Sequence, residues 1–190
     1  MSVSEETKQL ARYVRDRIGS KIRISDFWDD ERVRKVGIAE MADAPIEGVT
    51  SYATLGLSEY SIDLISDGMP LRVEVLAAFG SQFEAGANFV STAAFIMMGA
   101  PDLCRPGALL MNMNEGYYPD SPMQHGLLVA PFEWEVETQV LSSKKVAWLQ
   151  LVPVSNKEAR YAAQKGSDAL QTLLEQKEID VFDLFRVSVV

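Results

Sequence analysis

Apolar and polar residues alternate with a period of two from Gly48 to Ala78. Val49, Ser51, Ala53 and Leu55 fall on one face of an extended segment, with Thr50, Tyr52 and Thr54 on the other. After a short connector, Leu71, Val73, Val75 and Ala77 alternate with Arg72, Glu74, Leu76 and Ala78. Both halves read as strands. Gly56 ends the first, since it takes φ > 0 without a Cβ penalty. Asp67-Gly68-Met69-Pro70 makes a tight connection before the second, and the pair is predicted to form a hairpin. Arg72 and Glu74, two apart, project from the same side of one strand.

The rest of the chain falls into elements around this pair. An opening helix is capped by Ser4 or Ser2, holds Glu5 and Glu6 in its first turn, repeats Leu10, Val14 and Ile18, and stops at Gly19. Lys21 to Ile24 reads as a short strand, 27–31 as a loop, and Val33 to Met41 as another strand. From Glu84 or Ala85 the period lengthens to that of a helix, with Phe89, Ala93, Ile96 and Met97 recurring until Gly99. Apolar on most sides, this helix belongs inside.

Residues 101–126 are rich in Pro, Gly, Asn, Asp and Met. Leu109 to Met113 suits a strand, but 114–124 is irregular, as functional or mobile segments are. Gly126 to Pro131 returns to strand character. Glu133, Glu135 and Glu137 then alternate with Trp134, Val136 and Thr138, so a strand here would set three carboxylates on one face. Val146 to Val154 is strongly apolar and central. Ser155 and Glu158 have the capping-box spacing, Gly166 ends that helix, and Asp168 starts another through Leu170, Leu173 and Leu174. These elements predict one domain over residues 1–190, of α+β class. Its mixed, mostly antiparallel sheet is covered by helices from both ends of the chain.

Charge narrows the partners. The 190 residues carry a net −9, unevenly spread. Residues 36–140 hold fourteen acidic side chains against two basic ones, Arg72 and Arg105, a net of −12. That balance argues against direct nucleic-acid binding, which needs a basic surface, and favours a basic partner or simply a soluble acidic surface. No apolar run suits a bilayer span, and no basic-then-apolar leader opens the chain. The single cysteine fits a reducing compartment, so the cytoplasm is the expected location.

Candidate chemistry is sparse. With His125 the one histidine and Cys104 the one cysteine, nitrogen and sulfur ligands for zinc or iron cannot be assembled, so no metal is expected. Phosphate-loop, dinucleotide and hydrolase-elbow motifs are absent, so no cofactor and no catalytic residue are assigned. Cys104 with His125 as nucleophile and base is a remote alternative to a buried structural thiol. Arg72 and Glu74 are expected to form an internal ion pair, or Arg72 to reach Asp183 or another carboxylate; the functional alternative is a polar site on the sheet. Glu133, Glu135 and Glu137, with Asp120 as a neighbour, suit a surface for a cationic partner, or an edge strand guarded by charge.

Thr54-Leu55-Gly56-Leu57-Ser58, followed by Arg72-Val73-Glu74, resembles the suppressor-of-fused domain as found in bacteria. The likeness continues through Val146–Ser155 and the ending Ile179–Arg186, so it spans nearly the whole chain. The resemblance implies a non-catalytic immunity protein, or antitoxin, that binds and neutralises a toxin made by the same bacterium, of the LXG type. A nuclease toxin must be basic to hold nucleic acid, and the acidic middle of this chain would steer towards such a domain. A regulatory adaptor, as eukaryotic relatives are, is the alternative among binding proteins. A small hydrolase using Cys104 or Ser58 is the alternative from another class.

Overall fold

The computed structural model describes residues 3–114 and 116–190. Helix α1 (Glu5–Arg17) is followed by strands β1 (Ile22–Trp28), β2 (Lys35–Ala42), β3 (Val49–Leu55), β4 (Leu64–Ser66) and β5 (Met69–Gly80). Helix α2 (Gly86–Gly99) leads to β6 (Leu109–Leu110), β7 (His125–Val129), β8 (Gln139–Val140) and β9 (Lys145–Val154). Helices α3 (Asn156–Lys165) and α4 (Ser167–Gln176) come last. The strands form one sheet in the order β1-β2-β3-β5-β9-β7-β6, with β4 beside β5 and β8 beside β9. Only β5 and β9 run parallel among these pairs, so the sheet is mixed and mostly antiparallel, as expected.

Strand alternation sorts the core into two layers. Val73, Val75, Ala77 and Phe79 of β5 face α2, where they meet Phe89, Val90, Ala93 and Met97. Gly86 lets α2 begin directly against the ring of Tyr52, since a Cβ there would come within 2.5 Å of it. Leu76, Ala78 and Trp148 face the other way, onto Leu10 and Val14 of α1. Further along that same face of β9, Val152 and Val154 lie under Ala159, Leu170 and Leu174 of α3 and α4. Helices from the two ends of the chain therefore share one face, and α2 covers the other.

Caps set the helix starts. The Ser4 hydroxyl accepts the Thr7 N–H at 3.1 Å; Ser2, the other candidate cap, lies outside the described residues. Ser155 and Glu158 exchange both bonds of the capping box. Among the described residues no helix is long and apolar enough to cross a membrane.

Four features differ from the sequence reading. Phe27 and Trp28 belong to β1, paired with Val36 and Lys35, because the Asp29 carboxylate accepts from Val33 N and Arg34 N and tightens the turn beyond them. The Asp67-Gly68 turn, with φ of 48° and 76°, joins β4 to β5 rather than β3 to β5. Positive φ at both central residues gives the twist a two-residue hairpin needs. Strand β6 is only two residues long. The irregular stretch after it, in which Glu115 lies outside the described residues, is held by side chains bonding to backbone. Asn114 Nδ2 donates to Met123 O at 3.0 Å, and the Ser121 hydroxyl donates to Leu184 O. Finally, residues 131–138 form no strand.

Candidate functional site

The turn after β3 is built around one carboxylate. Gly56, at φ 109°, starts a 3-10 turn over Leu57–Glu59 and points backbone N–H groups back at β5. Glu74 lies beneath them, fully buried. Its Oε1 accepts from Gly56 N at 2.8 Å, Ser58 N at 3.1 Å and Ser58 Oγ at 2.7 Å. Its Oε2 accepts from Thr54 Oγ1 at 2.5 Å. Thr54 Oγ1 in turn accepts the Val75 N–H, standing in for a ladder bond where β3 leaves the sheet. Burial pushes the Glu74 carboxyl upward, and the four donors oppose that shift. Thr54, Gly56, Leu57 and Ser58 thus act as a carboxylate cradle, with Leu57 buried in the core on the α2 face.

Arg72 takes no part in it. Its guanidinium donates to Leu71 O at 2.8 Å, and among the described residues it has no salt bridge to Glu74, Asp183 or any other carboxylate. The expected ion pair is therefore overturned. Glu74 satisfies itself with uncharged donors, and the side chain of Asp183 accepts the Phe185 N–H instead. Half-buried at the β4 end of its strand, Arg72 keeps access to water, so its charge needs no partner.

The buried ion pairs lie elsewhere. Arg186 forks onto Glu158 at 2.7 and 2.9 Å and also donates to Pro153 O at 2.9 Å. Glu158 further accepts from Ser155 N and Val189 N, and Val189 sits in the C-terminal segment. Burial pushes Glu158 up, but Arg186 and these N–H groups outweigh it and hold the carboxyl below its usual range. The buried Lys144 meets Glu59 at 3.0 Å and Glu6 at 3.6 Å, and donates to Ser58 O. Sequence periodicity gave no signal for Lys144. Glu158 was visible as a cap and Arg186 within the family-like ending, but nothing in their spacing joined them.

Cys104 and His125 are kept apart. Cys104 packs in the core on the α2 face, where burial pushes its thiol up to about 11. His125 alternates with Leu127 and Val129, which face α3 and α4. Its Nδ1 accepts the Asn112 N–H at 2.9 Å and its Nε2 lies 2.8 Å from Asn156 Oδ1, an arrangement that fits a neutral ring. Nothing here activates a nucleophile. Among the described residues no group of three His, Cys, Asp or Glu is placed to hold a metal ion.

The three glutamates sit on a loop rather than on a strand face. Gln150 Oε1 accepts from Phe132 N and Glu133 N, while Tyr13 and Trp148 hold the backbone of Glu137. With its N–H groups drawn to side chains, the segment has no ladder to join. Trp134 is buried and Val136 half-buried against the α1 layer, with Glu135 and Glu137 exposed. Glu133 is half-buried, and burial pushes its carboxyl upward. Asp120 is exposed in the turn beside Tyr118, which packs on the α2 face. Asp120 thus lies by the α2 face, and the three glutamates lie on a loop that packs against the α1 layer.

Comparison with known proteins adds four findings. A family model described as "Suppressor of fused protein (SUFU)" matches residues 32–187. The chain is 42% identical over 192 residues, covering 100% of both sequences, to "Immunity protein YqcF" of Bacillus subtilis (strain 168). A crystal structure of a SUFU homolog from Neisseria gonorrhoeae FA 1090 superposes with a TM-score of 0.66 at 16% identity, covering 97% of this chain and 96% of that one. The Sufu-Fu complex gives 0.64 at 12% identity, covering 97% and 90%.

Proposed function

The chain belongs to the suppressor of fused family, and from that premise we propose that it is an immunity protein that binds and neutralises a cognate bacterial toxin. The observation that carries this reading is the 42% identity, end to end, with an immunity protein. The structural likenesses at 12–16% identity support the fold alone. We take the toxin to be a basic nuclease domain of the LXG type, met in the cytoplasm and blocked by occlusion rather than by chemistry. The buried charged groups of the core, Glu74, Glu158 and Arg186, support a binding role, because their donors and acceptors are spent on other groups of the fold. Acidic side chains left at the surface, Glu135, Glu137 and Asp120 among them, and the half-buried Glu133, are the groups we assign to docking.

The test is co-expression with LXG-type toxin domains from the same bacterium. Cells carrying both proteins should grow, and the two should purify as a complex of fixed stoichiometry. Growth arrest despite abundant folded protein, with no complex, would overturn the assignment.

A further inference from the structure

We propose that the cleft between α4, the segment that follows it and the loop carrying Glu133 receives a basic anchor of the toxin: one arginine or lysine side chain presented beside an apolar residue. This deepens the immunity reading and rests on it. The cleft holds about 310 Å³, with a floor of Leu127, Val129, Val152 and Leu174. Four carboxylates line it: Glu133, Glu175, Glu178 and Asp180. No lysine, arginine or histidine is among the lining residues. Three of these acids come from the last fifth of the chain, whose near-neutral balance gave no hint of an acidic site.

The occupant follows from what the cleft leaves unsatisfied. Asp180 accepts the Phe182 N–H at 2.9 Å. The carboxylates of Glu133, Glu175 and Glu178 have no hydrogen-bond or ion-pair partner among the described residues. Glu133 is half-buried in that condition. Helix α4 ends at the cleft with no basic residue in its last turn, and its C-cap, Lys177, is exposed and does not line the cleft. Helix C-termini favour cations, so the end of α4 adds to the attraction for a cationic side chain. An acidic ligand would be repelled, and an uncharged apolar ligand would bury carboxylates without partners. A long cationic side chain satisfies both halves, with its methylene stem on the floor and its charged head among the rim carboxylates. Phe132 stands 59% exposed at the wall, available to cover the apolar neighbour.

Titration calorimetry with the LXG-type toxin domain that co-purifies on co-expression tests this on the full chain and three variants, each first shown to melt like the parent. E175K/E178K should weaken binding by about 100-fold, as for orphaned charges at an interface core, and Phe132→Ala by about 10-fold. D30K/E31K, the same change of net charge at exposed positions elsewhere, should stay within about 3-fold of the parent. Parental affinity in E175K/E178K would overturn the cleft while leaving the immunity reading intact. Equal losses in the two reversals would also overturn it, since attraction would then be general. A parent that binds no toxin would overturn the immunity reading and the cleft with it.

Discussion

Glu74 is held by four donors and no counter-charge, so its replacement has a readable cost. Glu74→Ala strands Gly56 N, Ser58 N, Ser58 Oγ and Thr54 Oγ1 in the core, and we expect a loss of about 3 kcal/mol or more in urea unfolding. The pH dependence has a definite sign. A carboxyl raised in the folded state favours folding below its ordinary value of 4.5 and loses that contribution as pH climbs through the raised one. Glu74→Gln should remove that decline, and an unchanged slope between parent and variant would show that Glu74 does not titrate there. Arg72→Ala, by contrast, should shift stability by less than about 1 kcal/mol, because its guanidinium only meets Leu71 O. Alternation showed that the two side chains share a side, which is correct. It had no means of showing that a glycine turn sixteen to eighteen residues before Glu74 supplies the donors in place of the arginine.

At the scale of elements, α1 is tied to the turn between β8 and β9 by Glu6. Burial pushes this carboxyl up, but the Ser142 hydroxyl, the Ser143 N–H and hydroxyl, and Lys144 bring it down from 4.5 to about 2. The stabilisation is therefore present above pH 4.5 and lost as pH falls towards 2, amounting to at most about 3 kcal/mol. Glu6→Gln should lose it at neutral pH and flatten the acid limb of the stability curve. Most helices and strands were legible, because capping residues and apolar period are local signals. The alternation at 133–137 left a strand open and the structure shows a loop there, since alternation in burial arises equally when a loop is pinned by Gln150, Tyr13 and Trp148. Pairing of β5 with β9 was equally out of reach, for strand character does not name its neighbour.

The whole molecule carries its excess charge in the middle of the chain, −12 over residues 36–140. If this steers a basic toxin, association should slow steeply with salt while dissociation changes less, because screening acts on exposed charges beyond about 8–10 Å. E133Q/E135Q/E137Q should lower the association rate and flatten that salt dependence in stopped-flow mixing. Identical rates at every ionic strength would remove the loop from the interface.

The stitching of residues 182–189 has a consequence in time. Phe182 O accepts from Gly80 N, Leu184 O from the Ser121 hydroxyl, and Arg186 pairs with Glu158. Each bond joins a late residue to one made much earlier, and such closures wait until both ends exist. A growing chain from which residues 182–189 have yet to emerge therefore lacks the pieces that fix β5, the 111–124 stretch and α3 in place. A chain stopped at residue 178 loses all three ties and should remain unfolded and be degraded.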